Sequence, residues 1–197
     1  MKISIPSKLT LKHLNLVASV GGSDDVPTQE KINFIADFCS VHRNEIERAE
    51  HSSLLELYYN LMDLFNEIKA YEEVQPSIKV NGQTYTFRPI SNNHPSSWWV
   101  TCQKELAKGI QSHQIMALCY IEEGLQYNDF DPKHPRIILN PYSNRCKVFE
   151  DAELIREFLP LRGFFLTEFE QYKRPFLNLQ RMRKNNPKQL KKLLSRT

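Results

Sequence analysis

The chain has 197 residues, 41% hydrophobic and 25% charged. That is enough for one domain with its own core, or for two small lobes sharing an interface, and it excludes a chain disordered throughout. No apolar run reaches the roughly 18–20 residues needed to cross a bilayer, so no membrane partner is expected. The N-terminus lacks the basic, apolar and small-residue regions of a signal peptide, so the chain is expected to stay in the compartment where it is made. The net charge of +3 hides a segregation: nine Lys or Arg and no Asp or Glu lie between Lys173 and Arg196. Before them stand 17 basic and 23 acidic residues, so an acidic body of about −6 carries a basic arm of about +9.

In chain order, Lys2-Ile3-Ser4-Ile5-Pro6 alternates polar and β-branched residues and predicts a short strand, ended by Pro6 and in need of a partner. Thr10 is placed to cap a helix through Leu11, Leu14 and Val17, with Leu9 and Leu14 at hydrophobic-staple positions. Gly21-Gly22-Ser23-Asp24-Asp25 ends it. This stretch has neither the spaced glycines nor the Lys-Ser/Thr of a phosphate loop, and reads as a turn. After Pro27, the set Ile32, Ile35, Ala36 and Cys39, broadened by Phe34 and Phe38, predicts a helix face. Val41 and Ile46 predict a short connecting helix. Ser53-Leu54-Leu55-Glu56 forms a capping box, predicting a long helix through Leu57, Leu61, Leu64 and Ile68 that ends between Tyr71 and Val74.

Asn81-Gly82, between Ile78-Lys79-Val80 and Gln83-Thr84-Tyr85-Thr86-Phe87, predicts a two-residue hairpin with Ile78 opposite Tyr85. A lone hairpin is marginal, so the N-terminal strand is expected to join it. His94-Pro95-Ser96-Ser97 breaks the chain, and Trp98-Trp99 opens a helix that stops near Gly109. Ser112 is placed to cap the next, which carries Ile115, Met116, Leu118, Cys119 and Leu125. Residues 128–149 hold Pro132, Pro135 and Pro141 and predict an irregular connector or small β element, with Arg136–Leu139 and Lys147–Phe149 strand-like. Asp151 starts a helix with Leu154, Ile155 and Phe158, interrupted at Pro160. Phe165, Phe169, Tyr172 and Phe176 then form an aromatic stripe suited to packing on the body or on a partner, with a kink at Pro175. The expected fold is α+β and mainly α-helical: a body over 1–172, with its hairpin at about 77–88, and a basic arm over 173–197.

No catalytic or metal-binding constellation is complete. The six histidines fall at no helical metal spacing, and Cys39, Cys102, Cys119 and Cys146 are too scattered for a metal ribbon or redox motif, so they are read as reduced, mostly buried thiols. No serine sits in a nucleophile elbow, and Glu72-Glu73 and Glu122-Glu123 are adjacent residues that diverge on a helix. No enzyme activity, metal or cofactor is therefore expected. Trp98 and Trp99 fit burial in the chain's own core, a partner contact, or stacking on bases. Arg181, Arg183, Lys184, Lys188, Lys191, Lys192 and Arg196 fit a solubilising tail, docking on an acidic protein surface including this body, or phosphate binding. Leu190, Leu193 and Leu194 between those charges also suit a short amphipathic helix.

Four phrases resemble tailed-bacteriophage proteins of the tail-assembly-chaperone or small virion structural type. They are Lys2-Ile3-Ser4-Ile5-Pro6 followed by Leu9-Thr10-Leu11, Phe38-Cys39 before Val41 and Glu45-Ile46, the Asn-Gly hairpin ending in Tyr85 and Phe87, and Met116-Ala117-Leu118-Cys119-Tyr120. The resemblance spans roughly residues 1–170. It implies a non-enzymatic morphogenesis protein that contacts other phage assembly or virion proteins, placed in the host-cell cytoplasm during assembly or in the virion. The Pro-rich connector and the basic arm depart from the pattern, which leaves chaperone and virion component both open.

Overall fold

The computed structural model describes residues 3–21, 25–91 and 94–185, with side chains through residue 171. Among them, eight helices surround a three-stranded and a two-stranded antiparallel sheet, the α+β, mainly helical fold that the periodicities predict. None of those helices is long and apolar enough to cross a membrane.

Helix α1 (Leu11–Val20) starts at Thr10, whose N–H and hydroxyl both lie against Nδ1 of His13, at 3.1 and 2.9 Å. It ends where Gly21 takes a φ of 70°. Helices α2 (Thr28–Cys39), α3 (Arg43–Glu47) and α4 (His51–Asp63) then enclose a first core. Its centre is aromatic: the Phe34 ring lies 5.4 Å from Phe38 and 5.5 Å from Tyr58. The one buried charge there, Lys31, holds its ammonium 5.3 Å from the Tyr58 ring centroid, a cation–π arrangement that offsets part of its lost hydration. Two expectations need correction. Helix α4 begins at His51 with Glu50 as its cap, so Ser53 and Glu56 lie inside it. It also stops at Asp63, because the chain turns and carries Phe65, Ile68 and Val74 toward a second core.

Strands β1 (Ser77–Val80) and β2 (Gln83–Phe87) form the expected hairpin, with Ile78 opposite Tyr85. Asn81 and Gly82 both have positive φ, as a type I′ turn requires. The third strand is not N-terminal. Residues 3–6 form no strand, and Ile3 packs on the first core instead. The hairpin is completed by β3 (Tyr120–Glu122), which pairs Tyr120 with Phe87 and Ile121 with Thr86.

Helices α5 (Ser96–Ala107) and α6 (Ser112–Cys119), the three strands, α7 (Tyr142–Glu150) and α8 (Ile155–Asn185) build the second core. Helix α1 joins the two, with Leu11 in the second core and Leu16 and Val17 against the first. Gln111, not Ser112, occupies the cap position of α6, and that helix stops at Cys119 rather than reaching Leu125. Lys147–Phe149 belong to α7, not to a strand, since Pro141 starts a helix that buries Arg145 and Phe149 four residues apart. Strands β4 (Phe130–Asp131) and β5 (His134–Ile138) supply the small β element.

Helix α8 starts at Ile155, and Pro160 does not interrupt it. A proline inside a helix leaves the carbonyl four residues earlier without its N–H donor. Here that carbonyl, of Arg156, accepts from the Tyr71 N–H at 3.2 Å. The Arg156 guanidinium in turn donates to Lys69 O at 3.0 Å and lies 4.7 Å from the Tyr71 ring centroid. The helix carries on through Pro175 to Asn185, so the basic arm begins as an extension of it.

Candidate functional site

The aromatic residues singled out from the sequence lie inside. Trp98 and Trp99 are 4% and 3% exposed, and Phe165 and Phe169 0% and 2%. The Trp98 and Trp99 rings meet edge-on at 5.0 Å, Trp99 lies 5.8 Å from Phe169, and Phe169 stacks on Phe165 at 5.8 Å. These four side chains are the seam between α5 and α8, so of the alternatives the sequence leaves open for them, burial in the chain's own core is the one the structure shows. For Phe165 and Phe169, the half of the stripe whose side chains are described, the occupant is the body itself. Tyr172, Phe176, Arg181, Arg183 and Lys184 sit on α8, and their side chains lie outside the description. Lys188, Lys191, Lys192 and Arg196 lie outside the described residues.

What the fold does present is the β4–β5 hairpin. Its turn is local chemistry: the Lys133 N–H donates to the Asp131 carboxylate at 2.7 Å, and the His134 ring lies 3.3 Å from the same group. The Leu139 N–H donates to Asp129 O at 2.7 Å and closes the base. Asn140, at a φ of 47°, donates to the Glu122 carboxylate at 2.9 Å and ties the base to β3. Beyond that tie all five residues of β5 are exposed, and among the described residues it pairs only with β4. Phe130 is 49% and Ile137 55% exposed. An open strand edge flanked by apolar side chains is a template for another chain.

Beneath the hairpin base, a cavity of about 160 Å³ opens between α5 and the N-terminus of α7. Trp98, Leu118, Tyr127 and Ile138 form apolar walls, and Ser97 and Thr101 bring hydroxyls to one side. Arg145 also lines it, although the residue is only 2% exposed. Its Nε donates to Ala117 O at 2.9 Å, one terminal nitrogen donates to Asn140 O, and its guanidinium lies 5.6 Å from the Tyr127 ring centroid. Among the described residues no carboxylate lies within ion-pair distance of it. Burial pushes its pKa down, partly opposed by the hydroxyls and thiol nearby. Arg145 was missed because it falls in the segment read as a connector. The usable signal was Pro141 followed by Arg145 and Phe149 at helical spacing.

Three histidines, His13, His94 and His113, are packed into the fold. Asn15 Oδ1 accepts from the Ser112 N–H at 2.9 Å and the Ser112 hydroxyl at 2.6 Å, and its Nδ2 donates to His113 Nδ1 at 3.0 Å. The serine is thus bonded to the asparagine, not poised by the histidine, and the cluster locks α1 to the start of α6. His94 stacks on Trp98 at 4.2 Å. Burial lowers the pKa of His13, His94 and His113. It raises those of Cys102, Cys119 and Cys146, holding them as thiols rather than nucleophilic thiolates. Among the described residues no three His, Cys, Asp or Glu side chains gather where a metal ion would sit. No protein-family model matches the chain, and no curated protein or solved structure matches it either.

Proposed function

We propose that the chain is a non-catalytic binding protein of bacteriophage morphogenesis, which docks through the β4–β5 hairpin on a strand edge of another virion or assembly protein. The observation that carries this is the exposure of β5 along its length, with Ile137 on it and Phe130 on β4 both about half exposed. Two strands alone are marginal in water, and a third strand would satisfy the open main-chain groups while alternate side chains set specificity. The phage-assembly resemblance supplies the class of partner. The basic arm continuing from α8 adds a second contact to an acidic surface.

Tagged chain purified from phage-infected cells is expected to carry a tail or virion protein with it. Phe130→Ser combined with Ile137→Asp is expected to lose that partner, while the circular dichroism is unchanged and the unfolding free energy stays within about 1 kcal/mol of the parent. A chain that stays monomeric, without a phage partner, and is absent from virions and assembly intermediates overturns the reading. A second reading, nucleic-acid binding through the arm, is favoured by nine basic and no acidic residues over 173–196. It requires affinity for duplex or single strands that falls steeply with salt and disappears when residues 173–197 are deleted.

A further inference from the structure

We propose that the cavity between α5, the hairpin base and the α7 N-terminus is a binding site for a small free carboxylic acid with a flat apolar body. The inference rests on three observations independent of protein docking. The first is charge. Arg145 is buried, and its hydrogen-bond partners are the neutral carbonyls of Ala117 and Asn140. None of the side chains lining the cavity is acidic. A guanidinium out of water without a counter-ion is costly, and a bound carboxylate relieves that cost through a charge-assisted bond.

The second observation is the helix end. Arg145 stands in the first turn of α7, which has no acidic side chain there and no side-chain cap. The Asn144 and Arg145 N–H groups already donate to Pro141 O, at 3.0 and 3.2 Å, so it is the positive end of the helix dipole that adds potential at the cavity wall that Pro141 and Tyr142 form. The third is shape. About 160 Å³ is close to the roughly 150 Å³ cavity known to hold one benzene, and it is bounded by Trp98, Tyr127, Leu118 and Ile138. Apolar walls facing a single cation favour a monocarboxylate over phosphate, whose extra charge would meet no further donors of that strength. The Ser97 and Thr101 hydroxyls sit on the α5 side, within the same opening.

Such a ligand would touch the hairpin through Ile138, whose partner in the ladder is Phe130. Filling the cavity therefore stiffens the base from which the exposed strand projects.

The test titrates the full chain with benzoate and follows backbone amide resonances. Saturable shifts are expected at Ser97, Thr101, Asn128 and Tyr142, with benzamide, the same shape without the charge, at least tenfold weaker. N-acetylphenylalanine, a stand-in for a protein C-terminus, is expected to be weaker still because it exceeds the cavity. Arg145→Gln should abolish the preference for benzoate over benzamide. Should that variant fail to fold, Thr101→Leu, which narrows the opening and leaves Arg145 in place, should abolish both. The proposal is overturned by no saturable shift up to about 10 mM benzoate, well above the roughly 1 mM of a site worth about −4 kcal/mol. Equal response to benzamide, shifts centred away from the cavity, or tighter binding of N-acetylphenylalanine overturn it as well.

Discussion

Around α2, α3 and α4 the interior is held by shape: Phe34 packs edge to face on Tyr58 and tilted against Phe38, and Lys31 lies over the Tyr58 ring. Around α6 it is held by directed bonds. That helix is eight residues long and passes straight into β3, so its last carbonyls have no helical donor to meet. Side chains supply the donors. Trp98 Nε1 and the Tyr127 hydroxyl both donate to Leu118 O, at 2.9 and 2.7 Å, and Arg145 donates to Ala117 O. The difference teaches where specificity sits. An aromatic core accepts repacking, whereas a helix end tied by three side chains fixes the geometry of everything they touch, including the cavity they line.

Emptying the first core has the largest expected effect. Phe38 is fully buried among Phe34, Phe65 and His13, so Phe38→Ala is expected to cost about 3–5 kcal/mol in urea unfolding. It should leave benzoate binding unchanged at temperatures where the chain stays folded, and coupled loss of binding would show that the two cores are one cooperative site. In the second core, Trp98→Phe and Tyr127→Phe are each expected to cost about 1–2 kcal/mol. Because both donate to one carbonyl, their double variant should depart from additivity by at least about 0.5 kcal/mol. Strict additivity would break the picture of a wired helix end.

The smallest effect touches both regions. Burial holds His13, against the first core, and His94 and His113, in the second, below the ordinary value of 6.5. Between the folded and unfolded values the unfolded chain binds more protons, so the stability contribution is complete above about pH 6.5 and is lost as pH falls through that window. The slope is at most about 1.4 kcal/mol per pH unit for each histidine. Glu157, whose carboxyl is pushed up by burial, works the other way. Below its folded pKa the folded state holds the extra proton, which softens the acid limb. His13→Gln should remove one histidine's share from the slope, and an unchanged pH profile would contradict the assignment.

Much of this architecture was legible. Asn81-Gly82 specified its turn and the Ile78–Tyr85 register, Thr10 marked the start of α1, and the apolar positions of α2 identified its buried face. These signals are local, so neighbours within a few residues settle them. The misreadings came where distant partners decide. Tyr120–Glu122 continues a helical pattern but is drawn into strand pairing by the open edge of β2. Pro160 reads as a break until Tyr71 is brought to it. The cavity was illegible for the same reason: Ser97, Ile138 and Arg145 mean nothing together until α5, β5 and α7 meet. Trp98 and Trp99 were recognisable as important, but the side of the surface they occupy was not.

The carbonyl left open by Pro160 also provides a clock. The Tyr71 amide is not part of any helix or strand, yet its acceptor is the backbone of α8, 85 residues further along the chain. Hydrogen exchange at that single amide therefore reports the docking of α8 on the segment after α4, separately from the winding of α8 itself. If the long helix detaches when a partner takes the arm, Tyr71 will lose protection while the amides within α8 keep theirs.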